Sequence, residues 1–385
     1  MEKSGKERWS SFFKRVRRRR RLPLLVAVVV ALSVGAAVAF VAWILLERLL
    51  GRDPGQLATG DLLRLSLYIA AGVGGFVALV VAYRRQDDLE QGRFVERFGA
   101  AAAQLGNSDP AIRLAGVYAM AGVADESNSA KRQQCIDVLC AYLRLPYSPA
   151  LNLDNQIGYS KTSVSEGSDR VEENFVYRLN DREVRQTIVA VIANRIVRGA
   201  GVSWSTSDFD FEGATFDRAD FHNAVFKAGA EFSGSRFSND VNFSKAFFAN
   251  RVSFFDAKFG EDADFSKATF EGGASFAEAT FGDGATFSEA AVGNLTSFRA
   301  AIFGDDANFT QSTFGRSISF SKATFGDGAA FPKARFGSPP YFDQATFGND
   351  VDITAVKVGG HDSKYLLKEA STFALRTDQE ASTDS

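Results

Sequence analysis

From Phe211 to Val358 the bulky apolar residues of this 385-residue chain recur at gaps of five and six, and after Phe226 the two gaps alternate without a break. The series runs Phe216, Phe221, Phe226, Phe232, Phe237, Phe243, Phe248, Phe254, Phe259, Phe265, Phe270, Phe276, Phe281 and Phe287. It continues through Val292 to Phe298, Phe303, Phe309, Phe314, Phe320, Phe325, Phe331, Phe336, Phe342 and Phe347, and ends at Ile353 and Val358. The true period is therefore eleven, the mark of a repeat architecture in which each unit buries its apolar face against its neighbours. It also explains a lopsided composition of 36 Phe against 2 Met, 2 His and 2 Cys.

A small residue stands two positions before most of these centres, as in Ala263-Asp264-Phe265 and Ala268-Thr269-Phe270. Residues two apart in extended chain share a face. Ala and Phe then point inward together and the Asp or Thr between them points to solvent, so each unit is a minimal strand followed by a corner. In eight of the twelve six-residue gaps the residue after the centre is Gly, at 260, 282, 293, 304, 315, 326, 337 and 348, and in no five-residue gap is it so. The longer corner needs either a positive φ or a close backbone approach.

With a small residue at i−2 and Phe at the centre i, the segment resembles the pentapeptide-repeat family. That resemblance implies four units per square coil, hence a 22-residue coil made of two repeats. The 28 centres then give seven coils and a rod about 30 Å long at about 4.8 Å per strand. The fold class expected is an all-β right-handed quadrilateral β-helix, a pentapeptide-repeat solenoid, preceded by two transmembrane helices and a small α-helical module. Each buried Phe of the ladder contributes on the order of 1.5–3 kcal/mol.

Upstream, residues 22–46 carry no charge and at 1.5 Å per residue exceed a hydrocarbon core of about 30 Å. Residues 65–83 form a second uncharged run, bounded by Arg64 and by Arg84 and Arg85. Ala37-Val38-Ala39 resembles a signal-peptidase site, but so long a run with a second span behind it favours an anchor over a cleaved leader. Residues 1–21 hold ten Lys or Arg against two Glu. Basic flanks before the first span and after the second predict a hairpin in a bacterial plasma membrane with both termini cytoplasmic and a short external loop at 47–64. Lys14, Arg15, Arg17, Arg18, Arg19, Arg20 and Arg21 are the expected contacts to anionic lipid headgroups. Small residues at Ser33, Ala37, Ala71 and Gly75 would let the two helices pack closely, or join copies into a homo-oligomer.

Between span and rod, residues 84–145 read as a helical connector in which Asp109 offers an N-cap with Pro110 at the first helical position. Residues 146–180 read as a loop, and 181–202 as a helix capping the open start of the solenoid. Residues 203–360 are the rod and 361–385 a polar tail with a short helical pattern at 364–375.

Nothing in the sequence carries enzyme chemistry. There is no P-loop, no G-x-G-x-x-G opening a helix, no H-E-x-x-H and no G-x-S-x-G. His222 and His361 lie 139 residues apart. Cys135 and Cys140 sit five apart in an apolar helical pattern, read as buried thiols. No cofactor and no direct nucleic-acid contact is expected. The function expected is a membrane-tethered scaffold that offers a rigid rod to a cytoplasmic protein. The alternative follows a subset of the family whose acidic rods resemble duplex DNA and bind DNA gyrase. Residues 205–360 carry 21 acids against 13 bases, a net charge of about −8 that reads as spread over the rod and interrupted by Lys245, Lys258, Lys267, Lys322 and Lys333.

Overall fold

A computed structural model describes residues 59–147, 158–164, 170–176 and 181–362, with five further positions between 33 and 44. The chain divides into two units, 1–93 and 94–385.

Helix α1 runs from Thr59 to Leu105, 47 residues without a break. The span expected at 65–83 is thus the first part of a longer helix, which passes the boundary expected at 84 because Arg84, Gln86, Leu89 and Glu90 are all good helix formers. Among the described residues no helix is long and apolar enough to cross a membrane. The run 22–46 lies almost wholly outside the described residues, as do the seven basic residues expected at lipid headgroups.

In the second unit α2 (Pro110–Glu126) starts on the expected cap, with the Ala111 amide donating to Asp109 at 2.8 Å. Helix α3 (Ser129–Arg144) starts on Asn128, whose side chain accepts from Lys131. Helix α4 (Asp181–Ile196) packs against both. Within the stretch expected to be loop, β1 (Gly158–Val164) and β2 (Arg170–Val176) form an antiparallel hairpin. Its sequence signal is Thr162, Val164, Val171, Phe175 and Val176, β-formers on either side of the turn-forming Ser165-Glu166-Gly167-Ser168-Asp169.

From Phe209 the chain winds into a right-handed parallel β-solenoid of about seven turns. It has four walls, defined by the first inward Phe of each. Wall 1 holds Phe211 and pairs Phe209 with Ala230, Val252 and Ala274 in succession, continuing through Ser275, Ser297, Ser319 and Tyr341. Wall 2 begins at Phe216 and is a seven-stranded sheet. Wall 3 begins at Phe221 and is bridged through Asp220, Asn242, Asp264, Thr286, Asn308, Ala330 and Asp352. Wall 4 begins at Phe226 and is an eight-stranded sheet whose last strand, His361–Asp362, runs antiparallel.

The alternation of five and six has a backbone cause. Walls 1 and 3 are followed by the short corner, a tight turn such as Phe254 to Ala257 closed by the Ala257 amide donating to the Phe254 carbonyl at 3.1 Å. Its third residue, Asp256, has φ +52°, as a type II turn requires. Walls 2 and 4 are followed by the long corner, which adds a residue whose amide needs another acceptor. That acceptor is an Asx side chain one coil below: Asp305 donates its amide to Asp283 at 2.9 Å, Asp327 to Asp305 at 2.8 Å, Asn349 to Asp327 at 2.7 Å and Arg316 to Asn294 at 2.7 Å. The glycine before that amide is there for close approach. Gly326 has no positive φ, and a Cβ on it would stand 2.8 Å from the amide nitrogen of Asp305.

Inside, the expected ladders form. On wall 2 Phe325 and Phe347 stack at 4.7 Å and 2°, whereas rings of the opposite walls 1 and 3 meet edge to face across the interior, Phe276 and Phe287 at 5.5 Å and 89°. Both arrangements suit the ring quadrupole. On wall 4 Val292 stands between Phe270 and Phe314, and the pairing of strands passes through it undisturbed.

Candidate functional site

With the interior filled by Phe and Ala, whatever the rod does it does with its outer rows, and the 22-residue coil stacks these into ladders. On wall 3 the outward Asp220, Asn242, Asp264, Asn308 and Asp352 each accept the amide two residues on, at 2.7–2.9 Å. Wall 1 presents Ser253, Ser275, Ser297 and Ser319 in register. The outward row of wall 2 includes Thr280, Ile302, Thr324 and Thr346, with the glycine row beside it.

Acids are concentrated on one edge, whereas the edge between walls 1 and 2 is mixed, with Glu212, Asp256, Glu278 and Asp343 beside Arg299 and Lys322. Between walls 2 and 3 stand Asp240, Glu261, Asp262, Asp283, Asp305, Asp306, Asp327 and Asp350, all exposed, and Arg218 is the one base at this corner. On the diagonally opposite edge, between walls 4 and 1, are Lys227, Arg251 and Arg316 with Glu271. The edge between walls 3 and 4 carries Lys245, Lys267 and Lys333, and Lys267 pairs with Glu289 one coil on at 3.5 Å. The lysines expected to interrupt the negative charge therefore lie on other edges or, for Lys258, on the face of wall 2. The reason is the register: residues 22 apart share a position, so a composition that looks mixed along the chain separates around the coil. The acids are also structural, since Asp283, Asp305 and Asp327 are the acceptors that satisfy the long-corner amides.

The start of the rod is closed by the helical module: α3 lies against its first strands, and the segment 181–202 joins the first coil by a bridge from Val197 to Ala224 and by the Arg198 amide donating to the Asn223 carbonyl at 3.1 Å. Gln133 donates to the Asp208 carbonyl at 2.8 Å and accepts its amide at 2.9 Å, and Arg144 pairs with Asp210. Helix α4 adds an ion pair from Arg182 to Asp217. A second tie runs through Asp125, which accepts from Arg195 at 2.8–3.0 Å and from the indole of the fully buried Trp204 at 2.8 Å. A third, buried, joins Asp181 to Arg185 at 2.6 Å and to the Tyr142 hydroxyl at 2.6 Å, while Arg185 donates to the carbonyls of Leu143 and Leu145. The sequence offered no signal for these ties beyond polar residues inside apolar helical patterns.

The groups singled out for reactivity stay apart. Cys135 and Cys140 are free and buried; burial pushes the Cys135 thiol up to about 11 and raises that of Cys140 as well. Such thiols stay protonated and inert. His222 lies on wall 3 with Nδ1 2.7 Å from the Ser244 hydroxyl, and His361 pairs with Val358 in the last strand. Burial raises the carboxyl of Glu231, against the opposing hydrogen bonds from Ser233. Among the described residues no cluster of His, Cys, Asp and Glu is arranged to hold a metal ion.

The model of the family described as pentapeptide repeats (9 copies) matches at 211–258, 232–280, 254–302, 276–324 and 298–346. Successive windows start one coil apart. No curated protein and no solved structure matches the chain. The family match falls on the four-walled solenoid and on the ladder that fills it, so the segment 211–346 of this chain is built of pentapeptide repeats.

Proposed function

We propose that this protein is a non-enzymatic, membrane-tethered scaffold whose rod is held at the cytoplasmic face of a bacterial plasma membrane and offered to a protein partner. The observation that carries the interaction reading is the division of labour in the coil: the interior is closed by stacked rings, and chemically distinct rows are displayed outside at a fixed spacing. A rigid surface of this kind loses little entropy on binding. The tether rests on the uncharged run 22–46, on the basic segment before it, and on the first unit, where α1 leaves Tyr68, Phe76, Leu79 and Tyr83 exposed. Apolar residues exposed on a helix are stable in contact with lipid.

The acidic edge between walls 2 and 3 favours one second reading, a partner that ordinarily holds nucleic acid, as in the DNA-mimicking regulators of gyrase. One experiment separates the readings. Proximity labelling from the full chain is compared with that from a Glu261→Lys/Asp306→Lys/Asp350→Lys variant, which alters the acidic edge without touching the amide-accepting aspartates, and from a Lys245→Glu/Lys333→Glu variant. A neighbour set abolished only by the acidic-edge variant and made of DNA-binding proteins selects the mimic. A set that depends on either edge and lacks such proteins selects the general scaffold, and identical sets from all three chains remove the rod from the interaction.

A further inference from the structure

The rod carries its surface charge crosswise. Wall 4 and the two edges beside it hold eight bases against two acids, a net +6, whereas wall 2 and its two edges hold twelve exposed acids against five bases, a net −7. These two faces lie on opposite sides of the coil. The middle of each is an uncharged strip, Thr280, Ile302, Thr324 and Thr346 on wall 2 and Thr269, Ala291 and Thr313 on wall 4. Glycines at 282, 304 and 326 beside the first strip, and at 293, 315 and 337 beside the second, keep both flat.

We propose that the rods of neighbouring copies associate side by side, wall 2 of one on wall 4 of the next, by translation without rotation. A twofold pairing of either wall with itself sets like net charges face to face; only the contact of unlike walls joins opposite ones. Translation brings the edge between walls 2 and 3 of one copy against the edge between walls 3 and 4 of the next, because both flank wall 3. Residues of one coil differ in height by less than the strand spacing of about 4.8 Å, so they meet coil by coil. Asp240 then meets Lys245 of the neighbour, Asp262 meets Lys267 and Asp327 meets Lys333, while Ile302 lies over Thr313 between them. Like charges meet at Asp256 and Glu271, at Asp283 and Glu289, and at Arg299 and Arg316. The opposite net charges of the two faces outweigh these, since they act together within a screening length of about 8–10 Å.

A contact between unlike faces that involves no rotation does not close, so it builds an open row of parallel rods. A wall about 30 Å tall and five residues, or about 16 Å, wide offers about 500 Å² per copy. That is less than the roughly 800 Å² per partner of a stable complex, so the row forms only where copies are concentrated. On the tether reading proposed above, the bilayer supplies this condition. It confines the copies to a plane and presents every rod in one direction, as translation demands, whatever angle the rod makes with the membrane.

The test is cross-linking by a short bismaleimide between differently tagged full chains in liposomes. Both chains carry Cys135→Ser/Cys140→Ser, and one adds Ile302→Cys, the other Thr313→Cys. The mixed 302–313 product is expected to exceed either like-with-like product about tenfold, because faces of like charge repel. Asp240→Lys/Asp262→Lys in the Ile302→Cys chain should abolish it, and Lys245→Asp/Lys267→Asp added to the Thr313→Cys chain should restore it. Flotation of the liposomes reports the tether separately: the product is read on the floating chain, or on the soluble chain at about millimolar concentration where none floats. Absence of the mixed product overturns the proposal, as does a product indifferent to the charge reversals. Shielding of Thr313→Cys from a soluble maleimide by anionic but not by neutral lipid, without mixed product, also overturns it and assigns wall 4 to the headgroups.

Discussion

The amide of Asp327 donates to the side chain of Asp305 one coil below, at 2.8 Å, and Gly326 sits where that carboxylate and the Asp305 backbone leave no room for a Cβ. Gly326→Ala is therefore expected to push the coils apart at one corner and lower stability by about 1–3 kcal/mol, the range for overpacking with a strained hydrogen bond. Gly201→Ala, where nothing lies within 4 Å, should be nearly neutral. Paired thermal melts of the two variants check this, and equal losses would refute the close-approach account.

Phe276 is fully buried between Phe254 at 4.9 Å and Phe298 at 5.0 Å, both rings within 3° of parallel. Phe276→Leu should lower stability by about 1–2 kcal/mol, while Phe276→Asp places a charge inside the ladder and should exceed about 4 kcal/mol. Limited proteolysis locates the damage, with new cuts expected in the coils that flank position 276.

Asp125 is the shared acceptor of Arg195 and Trp204. Asp125→Ala leaves a guanidinium and a buried indole N–H without that acceptor, at a loss of about 2–4 kcal/mol. Because the same tie links α2 to the residues leading into the first coil, Trp204 fluorescence is expected to shift to the red at lower denaturant in the variant than in wild type.

Burial raises the Glu231 carboxyl, so the folded state holds its proton to higher pH than the unfolded chain. Between the ordinary glutamate value and the raised one the native protein binds more protons, and stability falls as pH rises through that window. Glu231→Gln should remove this component, so that the wild-type deficit relative to the variant appears above the window and disappears below it. Denaturant midpoints from pH 4 to pH 8, a range set about the usual carboxylate value, read it out.

The tether predicts accessibility. With Cys135 and Cys140 replaced by Ser, a single Cys at Gln56 should react with a membrane-impermeant thiol reagent in intact cells, and one at Thr372 should react only after the cells are opened. Labelling at 372 but not at 56 defeats the topology. In the native chain the two buried thiols should resist the reagent even in opened cells until the protein is unfolded.

The inward half of this fold was legible in the sequence. A five-six spacing assigns each central Phe and the Ala two before it to the interior whatever the remaining residues are, because burial of rings is large and local in register. The helical start at Asp109 is of the same kind, decided by a side chain and an amide two residues apart. What depends on residues 22 or 70 positions apart was decided only by the tertiary structure. The acceptors for the long-corner amides, the gathering of acids on one edge and of lysines on another, and the closure of the first coil by α3 all arise from contacts between coils or between helix and coil. A linear reading averages such contacts away: Asp240 and Lys245 are near neighbours in the chain, and the winding of the coil puts them on different edges of the rod.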